Sequence, residues 1–99
     1  MTFTDQQINE VWAKGRPVAG NEPSIWRLDE CGAWIGREYY GNRNSEYGWE
    51  IDHISPSANG GSDVLSNLRP LHWENNANKS DGRLSCVMTA SGIHNQRRA

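Results

Sequence analysis

The sequence predicts a single α+β domain, and three observations predict it. An apolar stripe at helical spacing opens the chain. Short aromatic and β-branched runs punctuated by Gly and Pro fill its middle, and a polar segment of helix-compatible residues follows the last of them. The expected order is an N-terminal helix, a short hairpin, two further strands and a closing helix. At 99 residues, one domain over 1–99 buries roughly 60 to 65% of the surface of its unfolded chain, enough for a modest core. Only 35% of the residues are hydrophobic, but five Trp and three Tyr are among them, a composition unlike that of a disordered chain.

The N-terminal helix is expected over about residues 4–14. Thr4 and Gln7 have the spacing of a capping box, Ile8, Val11 and Trp12 lie at i, i+3 and i+4, and Gly15 can stop the helix. "RPVAGNEPS" is a connection punctuated by Pro and Gly. "IWRLDECGAWIGREYYGN" holds a Cys31-Gly32 step between two short runs and reads as a hairpin, with a helical turn through 24–29 as the alternative. After the turn "RNSEYG", the run "YGWEIDHI" is a strand. Residues 55–66 make a twelve-residue loop without periodicity, a length that is functional or disordered in so small a domain. "NLRPLH" follows as an edge strand carrying Pro70, then "WENNANKSDG" as a helix with Gly82 at its end. On that helix Trp73, Asn76, Lys79 and Arg83 stay near one face. Residues 91–99 read as a frayed, basic tail, with His94 a solvated side chain.

The two cysteines, Cys31 and Cys86, stand far apart and outside any C-x-x-C pair. They cannot supply four thiolates, so no structural zinc is expected, and in a reducing compartment they read as buried free thiols rather than a disulfide. No long apolar run and no signal-peptide core is present, which predicts no membrane association and a cytoplasmic location; delivery into another cell stays open. The net charge of −2 argues against a strong generic nucleic-acid binder, although its distribution is polarised. Residues 1–64 carry ten acids and five bases (−5), and residues 65–99 two acids and five bases (+3).

The chemistry concentrates in residues 47–83. A hydrophobic strand ends in Asp52 and His53, thirteen residues separate these from Asn67-Leu68, and seven more precede Asn76 with Lys79 three positions on. Carboxylate and amide oxygens are hard ligands that suit Mg²⁺ or Mn²⁺ with several waters retained, and a neutral imidazole near pH 7 can take a proton from water. Neighbours in a regular strand point to opposite faces, so Asp52 and His53 reach one phosphate only where the strand ends or twists, and it is expected to do so there. Glu50, two residues before Asp52, shares its face and is a supporting group or an extra ligand, with a solvated strand carboxylate as the equal alternative. His72, at the start of the last helix, reads as structural.

This ordered set resembles the HNH endonuclease family, whose ββα-metal fold binds one divalent cation. "CGAWI…YGNRNSEYGWEIDH" is also similar to small stand-alone bacterial or phage members. The resemblance implies a metal-dependent endonuclease acting on phosphodiester bonds of DNA. It makes His53 the general base, Asp52 and Asn76 the ligands of Mg²⁺ or Mn²⁺, and Asn67 the anchor of the long loop that helps to orient His53. Arg69, Lys79 and Arg83 become phosphate contacts.

Two departures from that family stand out. The zinc knuckle of paired C-x-x-C motifs is missing, so aromatic packing through the N-terminal helix and the Trp26–Trp34 region has to replace it. The usual third histidine is Asn76 here, which favours Mg²⁺ over zinc. The alternatives are a non-catalytic metal-binding module of the same fold that binds nucleic acid, and a metal-stabilised interaction protein. A homodimer or an unidentified protein partner is compatible with the sequence, and DNA against RNA, cleavage specificity and biological role are not encoded legibly in it.

Overall fold

The computed structural model describes residues 3–56, 62–79 and 82–98. Helix α1 spans Asp5–Trp12. Thr4 caps it: the hydroxyl accepts from the Gln7 N–H, and the Gln7 side chain accepts from the Thr4 N–H in return. The helix ends at Trp12 rather than 14 because Arg27 takes over the carbonyls beyond it, donating to Ala13 O and Gly15 O.

Strands β1 (Trp26–Leu28) and β2 (Trp34–Gly36) form the expected antiparallel hairpin. Its turn closes on Asp29, whose Oδ1 accepts from the N–H groups of Cys31 and Ala33, with Gly32 at φ +79° between them. Strands β3 (Trp49–His53) and β4 (Leu68–His72) pair antiparallel, with Asp52 opposite Arg69 and His53 opposite Leu68. The chain enters β3 through Gly48, where a Cβ would lie 1.8 Å from the Asn42 carbonyl oxygen.

Helix α2 (Trp73–Ala77) follows β4 directly. His72 joins the two: fully buried, it accepts from the Glu74 N–H through its ring and donates Nε2–H to Glu46 O. It is structural, as its position predicted.

The sheet of β3 and β4 has α1 on one face and α2 on the other. Ile8, Val11 and Trp12 pack with Ile35, Trp49 and Leu68, and Phe3, Tyr40 and Ile51 close the edges of this cluster. Trp49 is its centre, with Trp12 at 5.2 Å and Tyr40 at 5.0 Å between ring centroids. Trp26 and Trp34 are half-buried and stand apart from it, Trp26 packed against Tyr39 and Tyr47. The aromatic core thus rests on Trp12 and Trp49 rather than on the Trp26–Trp34 region.

Three expectations need correction. Cys31 and Cys86 are not free thiols but a disulfide, with their Cα atoms 5.5 Å apart. A buried polar hub brings them together. Asp29 Oδ2 accepts from the His72 N–H and from Asn75 Nδ2, while Asn75 Oδ1 accepts from the N–H groups of Val87 and Met88. The hub therefore sets the turn holding Cys31 against the segment holding Cys86.

Helix α2 is also shorter than residues 73–82. Its last turn closes at Asn78, and Gly82, at φ +76°, packs on Pro56 outside the helix. Three asparagines propagate a helix poorly, and the pull of Lys79 toward β3 redirects the chain. Arg83 is consequently exposed and not on the face shared by Trp73 and Asn76.

The third correction is the C-terminal tail. Residues 91–98 are not frayed: β5 (Met88–Ser91) and β6 (His94–Arg97) form a hairpin. Asn95 stitches it to β2, accepting from Trp34 N–H and donating to Trp34 O and Glu46 O. His94 is exposed as expected, and its Nδ1 lies 3.0 Å from Glu46 Oε1. Of the long loop 55–66, residues 57–61 lie outside the described residues. No described helix is long and apolar enough to cross a membrane.

Candidate active site at the end of β3

Alternation along β3 divides its side chains between the two faces of the sheet. Trp49, Ile51 and His53 face α1, and Glu50 and Asp52 face α2. Asp52 is 5% exposed. Its Oδ2 accepts from Arg69 Nε at 2.8 Å and its Oδ1 from Lys79 Nζ. Lys79 also donates to the His53 carbonyl oxygen, and Arg69 reaches on to Glu30 Oε2 at 2.8 Å. One buried carboxylate thus meets two cations, each only 11% exposed.

Glu50 sits beside it on the same face. Arg43 grips its carboxylate with two hydrogen bonds of 2.6 and 2.8 Å, and Asn76 Nδ2 donates to Oε1 at 2.8 Å. Asn76 therefore turns its amide to Glu50, and no hydrogen bond joins it to Asp52 among the described residues. Burial raises the Glu50 carboxyl, but the hydrogen bonds from Arg43 and Asn76 outweigh it and hold the group below its ordinary value of 4.5. Such a group stabilises the fold above that ordinary value and loses its contribution as pH falls through the lower folded value. The destabilisation caused by Glu50→Gln in urea unfolding should accordingly shrink between pH 6 and pH 3. A difference that stays constant over this range would remove the charge from the account.

His53 ends the strand as expected, but it keeps the regular pairing opposite Leu68, so its side chain stays on the opposite face from Asp52 and the expected convergence of the two is not seen. Its Nε2 lies 2.5 Å from Asp63 Oδ1, and the Phe3 ring is 6.2 Å away. Asn67 bonds to neither His53 nor Asp52; it clamps the loop, accepting from Ser55 N–H and donating to Ser55 O and Ser62 O.

Asp52, Arg69 and Lys79 are therefore together, Glu50 and Asn76 are together beside them, and Arg83 lies apart. Asp63, Arg43 and Glu30 were missed by the sequence reading. Each meets its partner across a loop or a strand pair, where no periodicity or short spacing announces the contact.

As a cation site the α2 face offers two carboxylates and an amide. Among the described residues no three of His, Cys, Asp and Glu gather around one point, and both cysteines are spent in the disulfide. Both carboxylates are moreover already bonded, Asp52 to Arg69 and Lys79 and Glu50 to Arg43 and Asn76; as donors, oxygens of this kind are of the hard type that suits Mg²⁺ or Mn²⁺.

The family model described as HNH endonuclease matches residues 31–82. This span runs from the β1–β2 turn to just past α2 and contains Arg43, Glu50, Asp52, His53, Asp63, Asn67, Arg69, Asn76 and Lys79, whereas Glu30 and Arg83 fall just outside it. No curated protein and no solved structure matches the chain.

Proposed function

The chain belongs to the HNH endonuclease family, and from that premise we propose that it hydrolyses phosphodiester bonds of DNA with one divalent cation, Mg²⁺ or Mn²⁺. The observation that supports this best is the end of β3. A buried carboxylate, with Glu50 and Asn76 beside it, is followed at once by an imidazole whose Nδ1 has no partner among the described residues.

In this reading His53 Nδ1 takes a proton from water, the water oxygen bonds to phosphorus, and the bond from phosphorus to the leaving sugar oxygen breaks. That oxygen is protonated from solvent. Asp52 and Asn76, with Glu50 supporting Asn76, would hold the cation, which would supply charge neutralisation at the phosphoryl oxygens; because they lie on the α2 face and His53 on the α1 face, the scissile phosphate would have to sit at the end of β3, where the two faces meet. Arg69 and Lys79 add fixed positive charge at the same place, and Asn67 holds the loop that follows His53.

Contacts of this kind fall on phosphates, which carry no sequence information, so cleavage by this domain is weakly sequence-specific. Most cations are already engaged inside the fold: Arg43 with Glu50, Arg97 with Glu74, Arg37 with Asn9, and Lys14 with the carbonyls of Leu65 and Leu68.

One observation favours a second reading. Asp52 is already neutralised by Arg69 and Lys79, as in a module that binds nucleic acid without cutting it. Incubation of supercoiled plasmid with Mg²⁺, with Mn²⁺ and with EDTA separates the two: nicking that requires metal supports the nuclease, and binding without nicking supports the module.

The ligand assignment has its own test. Removing the Asp52 side chain would leave the buried Lys79 without a carboxylate and Arg69 with Glu30 alone, at a cost of about 3–5 kcal/mol, so Asp52→Asn is the informative variant. Asp52→Asn and Asn76→Ala should each raise the Mn²⁺ concentration needed for half-saturation in calorimetry. The larger effect belongs to Asp52, which loses a charge. Unchanged affinity in both variants would refute the assignment.

A further inference from the structure

We infer that Asp63 is a positioning residue for His53: it fixes the proton of the ring on Nε2 and turns Nδ1 outward as the nitrogen that accepts. The inference rests on His53 being the base of the proposed function. Three features of the structure carry it.

First, a neutral imidazole has one donor nitrogen and one acceptor nitrogen, whereas an ionised carboxylate only accepts. The 2.5 Å contact between Nε2 and Asp63 Oδ1 therefore selects the tautomer with hydrogen on Nε2 and a lone pair on Nδ1.

Second, Asp63 is the one hydrogen-bond partner of the ring among the described residues. His53 is the last residue of β3, its side chain is 20% exposed, and its described aromatic neighbour is Phe3 in tilted contact.

Third, Asp63 is itself placed. Asn67 Nδ2 donates to Ser62 O at 2.7 Å, and Asn67 N–H donates to Val64 O at 2.8 Å, so one asparagine grips the residues on both sides of Asp63. Asn67 thus acts on the imidazole at one remove, through Asp63.

The test combines kinetics with a readout that needs no cleavage. Asp63→Ala should lower kcat for plasmid nicking ten- to a hundredfold with KM within twofold, and Asp63→Asn, which keeps an acceptor oxygen, should recover part of the loss. In a His53→Ala background, Asp63→Ala should change the residual rate by less than twofold, because its effect passes through the ring. Nitrogen-15 spectra of the neutral histidines should show the His53 proton on Nε2 in the native protein and a tautomer mixture in Asp63→Ala. An unaltered tautomer, or an equal rate loss in the His53→Ala background, would overturn the inference. Absence of nicking by the native protein would overturn the proposed function instead, and the spectra would still decide the pairing.

Discussion

His53→Ala is expected to slow phosphodiester cleavage by a factor of about 10² to 10⁴, the range over which positioned general bases act. No other histidine can stand in. The chain has three. His72 is fully buried with both ring nitrogens engaged, and His94 sits on the β5–β6 hairpin against Glu46. The fold should tolerate the change, since the imidazole has one hydrogen-bond partner, Asp63, and the His53 carbonyl that receives Lys79 is untouched. Metal affinity should also be preserved, because Glu50, Asp52 and Asn76 meet on the other face of the sheet. The measurement is single-turnover nicking at saturating Mn²⁺, with calorimetry and thermal unfolding as controls. Native rates in the variant would exclude His53 from the chemistry; a lower rate accompanied by lost Mn²⁺ binding would move it to the metal.

The contrast between what was readable in the sequence and what was not follows the range of the interactions. The Thr4–Gln7 capping box spans three residues, and the Trp49–His53 strand announces itself by its own aromatic and β-branched side chains. The spacing of Asp52, His53, Asn67, Asn76 and Lys79 was readable through the family pattern, and Asp52 with Lys79 does form one cluster.

Three other features have no local signature. The β5–β6 hairpin carries His94, Asn95, Gln96 and Arg97 where an apolar alternation would be expected, and Asn95 amide bonds 61 residues away fix it to Trp34. Asn76 prefers Glu50 over Asp52 because α2 closes after five residues, a length that three successive polar side chains did not reveal. The pairing of Cys31 with Cys86 depends on Asp29 and Asn75, a buried carboxylate–amide contact across 46 residues. Asp29 has no local signature in the sequence, yet it is 2% exposed and bonds to the turn at Cys31 and Ala33, to His72 and to Asn75.

That hub leads to the second large effect, on stability. The disulfide closes a loop of 55 residues. In the chain-entropy treatment, cross-linking a loop of this size removes about 4 kcal/mol of freedom from the unfolded chain. Domains of this kind are stable by roughly 5–15 kcal/mol in total, so the loss takes a large share of the margin. The Cys31→Ser/Cys86→Ser double variant, or the native chain under reductant, should therefore unfold about 20 °C lower, given 4–8 °C per kcal/mol at this size.

The site itself should survive the cut. Asp29 still accepts from Cys31 N–H, Ala33 N–H, His72 N–H and Asn75 Nδ2, and Asn75 still holds Val87 and Met88, so α2 keeps its seat against β3. Nicking well below the new midpoint should then stay within a few-fold of the native rate and disappear only as the chain melts. Thermal unfolding with and without reductant, paired with nicking at low temperature, reads both quantities. An unchanged midpoint, or two titratable thiols in the folded protein before reduction, would refute the cross-link as a stabilising element. A native midpoint shift with activity lost at every temperature would instead place the disulfide in the alignment of α2.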